Sequence, residues 1–242
     1  MSIDYKWIKF TNFGDEVLKG LIYLNPLEYY RGIEKIINGD IDKSEKRNDA
    51  INDYLEGSVA SVNPDDLEEY GLGFLDDVKN DLVGNVHLLS EDLKYLKVFC
   101  LYTLLFDPEN KVVWMPSERV RQFGHQFAVV IHNPDAFAQR IIACLEKNNG
   151  YGRIIAFNGD FVQYYDNDSR TKRLGVYNKT AEFEWEHEFR FIFPEREPNL
   201  DPIILDIGNI TDIATIISVE EFMKRPQLLF PDYRIMYSEK EK

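Results

Sequence analysis

Runs of alternating apolar and polar positions mark most of this chain as short strands separated by a few helices. Residues 3–10 (IDYKWIKF) have the aromatic and β-branched content of a first strand. A short helix follows, capped by Asn12 or Asp15 and stopped at Gly20, and residues 21–24 form a second strand that ends at Asn25–Pro26. Pro26 then opens a helix, LEYYRGIEKIIN, that closes near Gly39. Strand patterns return in KVFCLYTLLF and KVVWM, on either side of the turn Asp107–Pro108–Glu109–Asn110, and in HQFAVVIH at 125–132. A short helix is expected at 117–124. From Asn133–Pro134–Asp135 an amphipathic helix places Phe137, Ile141, Ile142 and Leu145 on one stripe. Asn158–Gly159–Asp160 reads as the turn of a hairpin joining RIIAF to FVQYYD. Two more strands (PIILDI, ATIISV), a short helix at Glu220–Lys224 and an aromatic tail complete the pattern.

The most regular alternation is EFEWEHEFRFIFP, Glu182–Pro194. Read as one strand, it turns Phe183, Trp185, His187, Phe189, Phe191 and Phe193 toward a core and Glu182, Glu184, Glu186, Glu188, Arg190 and Ile192 the other way. The charged face is either the wet side of a sheet or the lining of a cleft. Residues 40–96 differ from the rest. They are dense in charge, include Asp65, Asp66, Glu68, Glu69, Asp76 and Asp77, and are broken by Gly57, Pro64, Gly71, Gly73 and Gly84, a pattern that predicts an acidic helical insertion. Helices interspersed irregularly among strands give an α+β fold with a mixed or largely antiparallel sheet, flanking helices and that insertion, all in a single domain over 1–242.

Composition narrows the function. A net charge of −14 opposes a general nucleic-acid-binding surface. Neither an N-terminal signal peptide nor an apolar run of membrane-spanning length is present, so the expectation is a cytoplasmic protein without a membrane partner. Cys100 and Cys144 sit in apolar runs, as buried free thiols do. Phosphate-loop, dinucleotide-fingerprint and nucleophile-elbow motifs are missing, and the four histidines are too scattered to predict a metal site. What remains is aromatic and carboxylate chemistry. If the first, second and late strands adjoin, Tyr23, Asn25, Glu186 and Glu188 share a groove, with Lys6, Arg31 or Arg190 available for a phosphate or carboxylate. A fold-supporting ion pair between Glu188 and Arg190 is the competing expectation.

The order YKWIKF, GLIYLNPLEYYRGIE, FCLYTLL, FGHQFAVVIHNPDAF and YNKTAEFEWEHEFRFIF resembles a widespread bacterial domain family of unknown function that ends in a Trp-x-x-Glu-x-Glu-Trp-Arg signature. Trp185, Glu186, Glu188, Phe189 and Arg190 match that signature with Phe for the second Trp. Val113–Ser117 stands where the family has Trp-Ser-His-Tyr, here without the His. An aromatic-basic strand, a Tyr-bearing strand and a late Glu-bearing strand also resemble the pattern of ADP-ribosyltransferases. That resemblance implies NAD as cofactor or substrate, held by Lys6 and Tyr23, with Glu188 or Glu186 catalytic. Two functions are therefore expected. The first is a non-catalytic bacterial or phage interaction module, without a cofactor, whose acidic surface meets a basic protein partner. The second is an NAD-using ADP-ribosyltransferase-like enzyme.

Overall fold

The computed structural model describes residues 4–30, 55–75, 79–82, 84–147, 152–166, 168 and 170–237. The fold is α+β with mostly antiparallel sheet, as its sequence pattern predicts. Strand β5 (Lys97–Asp107) is its axis, and it is buried along nearly its whole length because KVFCLYTLLFD is apolar on both faces. On one edge it pairs antiparallel with β12 (Glu188–Phe193) and then β6 (Val112–Met115). On the other edge it pairs with β2 (Leu21–Pro26) at Val98 and Lys97, and with β1 (Asp4–Thr11) from Tyr102 to Phe106.

That second edge is split. β1 meets β5 only as far as Ile8↔Tyr102, then continues against β7 (Phe127–Ile131), which in turn pairs with β14 (Ala214–Ser218). β2 leaves in the other direction to pair with β13 (Ile203–Asp206). Phe99, Cys100 and Leu101 therefore face no strand on this side among the described residues. Helix α1 (Gly14–Leu18) crosses the gap from β1 to β2. No side chain caps α1. Asn12 instead accepts the Gln126 amide at 2.9 Å, and Gly20, at φ 90°, turns the chain into β2 with Gly208 carbonyl oxygen so close that a Cβ would collide.

Two apolar clusters cover the sheet. One gathers Trp7, Phe99, Leu101, Phe189, Phe191 and Phe193 under helix α2 (Pro134–Lys147), which contributes Phe137 and Ile141. The other packs Ile8, Phe10, Tyr102, Leu104 and Val130 against α3 (Val219–Lys224) and Phe230. The acidic segment contains the expected helical pieces as single 3-10 turns at Pro64–Asp66, Glu68–Tyr70, Gly73–Leu75 and Lys79–Asp81. It also holds strands that its sequence does not advertise. β3 (Ser58–Val62) lies between β4 (Val86–Leu89) and β10 (Lys172–Arg173), closing a small core of Ala60, Val62 and Leu67. The helix expected after Pro26 begins as a 3-10 turn, Leu27–Tyr29, and its remainder with Arg31 lies outside the described residues.

Two expectations are corrected. Asn158–Gly159–Asp160 is not a hairpin turn but part of β8 (Asn158–Phe161), paired with β12. Gly159 is there because a Cβ would meet the Phe191 ring at 2.6 Å. Glu182–Pro194 is not one strand. Ala181–Glu186 is 3-10 helix, His187 adopts a left-handed φ of 41°, and only Glu188–Phe193 is extended. Three residues per turn put Phe183 and Glu186 on the same buried side, which the alternation hides.

Candidate functional site

A cavity of about 440 Å³ opens into the split between β1 and β5, within the size range of small-molecule sites. β1 and β5 line it with Lys9, Phe10, Cys100 and Tyr102; β2 and the turn after it with Tyr23, Asn25, Tyr29 and Tyr30. Phe13, Phe123 and His125 complete the wall, and Lys179, Glu186, Glu188 and Arg190 form one end. Phe13 and Tyr23 stack at the exposed rim, ring centroids 6.2 Å apart and 25° from parallel.

The charged end is a buried ionic cluster. Arg190 spends all five N–H donors inside the fold. Nε and Nη2 go to Glu188 (2.7 and 3.1 Å), Nη1 and Nη2 to Glu56 (2.7 and 3.0 Å), and Nη1 also to the Val176 carbonyl (2.5 Å). Lys179, on β11 (Asn178–Thr180), donates to Glu186 at 2.6 Å and to Glu188 at 3.5 Å, and lies 4.6 Å from the Phe183 ring. Glu188 is thus engaged through both oxygens. Glu186 gives Lys179 only Oε2, so Oε1 has no partner among the described residues.

These contacts push the two carboxyls in opposite directions. Burial drives Glu186 up to about 7, aided by the neighbouring Glu188 charge and opposed by Lys179. Burial also disfavours the Glu188 carboxylate, but Arg190 and Lys179 override it and hold that group at about 2. At neutral pH Glu188 is therefore fixed as an anion while Glu186 exchanges its proton.

Lys9 spans the split. Its Nζ donates to the Cys100 carbonyl, which has no strand partner there, at 2.9 Å and sits 4.7 Å from the Phe99 ring centroid. Burial lowers its pKa, with Cys100 and Glu188 opposing. No carboxylate lies within ion-pair distance of it among the described residues, unlike Lys179 and Arg190. Burial likewise raises the Cys100 thiol and lowers His125 to about 4, so neither is charged near neutrality. Tyr30 hydrogen-bonds Asn25, and burial raises its hydroxyl well above the usual tyrosine value.

Of the residues expected from sequence, Tyr23, Asn25, Glu186, Glu188 and Arg190 converge on the cavity. Arg190 has no donor left for a ligand. Lys6 is not there. It lies opposite Leu104, before the strands part, and its Nζ reaches the His132 carbonyl at 3.4 Å. Lys9, three residues on, takes the place assigned to it. Glu56 and Lys179 complete the cluster without any local motif; Glu56 lies 134 residues from its partner Arg190. Cys100 and Cys144 are not joined in a disulfide, and the Cys144 thiol donates to the Asp206 carbonyl at 3.1 Å. Among the described residues no group of three or more His, Cys, Asp or Glu is arranged to hold a metal, and no helix is long and apolar enough to cross a membrane. Of the acidic turns, Asp66 bonds Thr171 while Asp65, Glu68 and Glu69 are exposed. Neither a family model, nor a curated protein, nor a solved structure matches the chain significantly.

Proposed function

We propose that this cavity binds a nicotinamide nucleotide and that the protein cleaves its ribose–nicotinamide bond, in the manner of the ADP-ribosyltransferases whose strand pattern it resembles. The observation that carries this reading is the pair Glu186 and Glu188, buried together at the end of an aromatic-lined cavity and not on open solvent, Glu188 bonded through both oxygens and Glu186 through one. Cleavage leaves the C1′–N1 electron pair on the nicotinamide nitrogen, so the leaving group becomes neutral without a proton. The ribose carbon becomes cationic. A carboxylate fixed beside it supplies the stabilisation that the departing ring no longer can.

Glu186 is the reacting group in this scheme, because of the two carboxylates it is the one with an oxygen left for a ligand among the described residues. Ionised, it faces the ribose cation and then takes the proton of the attacking water or acceptor hydroxyl. With water, NAD becomes ADP-ribose, nicotinamide and one proton. Glu188 acts through Glu186, as the fixed charge that helps raise its proton affinity toward neutrality. The aromatic walls take the nicotinamide ring, and Lys9, which no carboxylate among the described residues holds, takes a phosphate.

The test is nicotinamide release from NAD, followed by chromatography, with wild type, Glu186→Gln and Lys9→Met. The reading expects turnover that falls at least 100-fold in Glu186→Gln without any drop in melting temperature. It expects NAD binding weakened about tenfold in Lys9→Met, the size of one charge-assisted contact. No NAD binding at millimolar concentration, or turnover indifferent to Glu186, overturns it.

A further inference from the structure

The cavity mouth carries two large aromatic side chains that the fold does not cover. Phe13 is 59% exposed and Tyr23 43% exposed, and their rings lie near parallel beside the opening. Ile204, opposite Tyr23 in the β2–β13 pair, extends this apolar surface and is also exposed. Hydrophobic side chains exposed singly are ordinary, whereas a stacked pair at a cavity mouth marks a place where something docks. The pair is held in position. Phe13 donates its amide to Thr11 Oγ1 at 3.0 Å, and its carbonyl accepts the Val17 amide at 3.1 Å, which ties it into the start of α1. Tyr23 sits within β2, in register with β13.

Asn12, next to Phe13, lines the same mouth. Its Oδ1 accepts the Gln126 amide at 2.9 Å, and that bond fixes which way the side-chain amide points. The two Nδ2 hydrogens are left without a partner among the described residues. An oriented N–H donor beside an aromatic platform suits a flat heterocycle. The rings take its face, and the amide takes an acceptor on its edge.

We infer that Asn12, Phe13 and Tyr23 form a subsite for the purine base of a nucleotide. The inference rests on the nucleotide site proposed above and deepens it by placing the other half of the ligand. The cavity, about 440 Å³, is near the lower end of the range for small-molecule sites. A dinucleotide whose reacting bond lies at the carboxylate end therefore brings its second base out at the mouth. The strand resemblance to ADP-ribosyltransferases would set Tyr23 against the nicotinamide; its exposed place at the rim gives it the opposite end. A purine suits this subsite better than a pyrimidine. Its two fused rings cover more of a two-ring platform, and its unsubstituted ring nitrogens accept the Asn12 hydrogens.

The experiment is titration of the full chain with adenosine and with uridine, followed by NMR of the nucleosides. Neither probe carries a phosphate, so Lys9 and ligand charge play no part and only the base is read. The expected result is saturable adenosine binding about tenfold tighter than that of uridine. Phe13→Ala weakens adenosine about tenfold, the size of one base-on-ring contact, and Tyr23→Phe, which keeps the ring, does not. Asn12→Asp keeps the acceptor for the Gln126 amide, loses the donors, and weakens adenosine about fivefold. All three changes lie at the surface and keep the wild-type melting temperature. No saturable adenosine binding, equal affinity for the two nucleosides, or adenosine affinity indifferent to Phe13→Ala or to Asn12→Asp overturns the inference. So does a dimer in sedimentation that Phe13→Ala dissolves, since the exposed rings then belong to a second copy. NAD turnover in the same preparations separates the claims. Phe13-dependent adenosine binding without turnover leaves this inference standing and removes the enzyme, whereas turnover with the KM for NAD unchanged in Phe13→Ala does the reverse.

Discussion

Replacing Glu186 by Gln should make the protein more stable at pH 8, although it removes a buried charge hydrogen-bonded to a lysine. Folding raises the Glu186 carboxyl from 4.5 to about 7, so the folded state holds this proton more tightly than the unfolded chain. Sign follows directly: stability falls as pH climbs from 4.5 through 7, then stays at the lower level. Each tenfold gain in proton affinity is worth about 1.4 kcal/mol, which makes the cost at pH 8 roughly 3 kcal/mol. Gln copies the protonated form, keeps an acceptor for Lys179, and escapes that cost. For a chain of this size about 3 kcal/mol corresponds to roughly 10 °C in melting temperature. Scanning calorimetry of wild type and Glu186→Gln from pH 4 to 8 reads this directly. The two curves should meet near pH 4 and separate in favour of the variant toward pH 8. A variant less stable than wild type at pH 8, or a difference that does not change with pH, would refute the reading of Glu186 as a buried carboxyl whose proton is held to near neutrality.

Glu188→Gln, two residues along, should do the opposite. Its carboxyl is held at about 2, so its contribution is present above pH 4.5 and lost as pH falls toward 2. Loss of one partner from a buried pair costs about 3–5 kcal/mol, which thermal unfolding at pH 7 should show as a drop of roughly 10 °C or more. Gly159→Ala should cost about 1–3 kcal/mol in urea unfolding, because its Cβ would displace the Phe191 ring from the core under α2. If the cavity is catalytic through the ionised Glu186, kcat/KM for NAD should rise tenfold per pH unit up to about 7 and then level. A flat profile from pH 5.5 to 8 would remove Glu186 from the chemistry.

Much of the sheet was legible because its strands are long apolar runs bounded by Gly, Pro and Asn, and the two inward faces of β12 follow from Phe189, Phe191 and Phe193 against Glu188 and Arg190. The first half of that stretch misleads for a definite reason. Its alternation of glutamates with Phe183 and Trp185 also fits a three-residue turn, and His187 in a left-handed conformation breaks the strand. Glu186 is thereby swung under Lys179 and not laid along a sheet face. The convergence of Tyr23, Asn25 and Glu188 could be read from strand positions. Which lysine joins them could not, since Lys6 and Lys9 lie on opposite faces of one strand, against Phe106 and Phe99 respectively, and the parting of β1 from β5 that opens the cavity beside Lys9 has no sequence signal. Glu56 carries no local signal at all; its position is set by the fold that brings the acidic segment against β12.

The measurement that bears most directly on the split-sheet cavity as the ligand site is calorimetric titration of NAD into wild type and Lys9→Met at pH 7.5. The account predicts saturable binding to wild type and binding about tenfold weaker to the variant at an unchanged melting temperature. Absence of saturable heat at millimolar NAD, or equal affinity for both proteins, would contradict it.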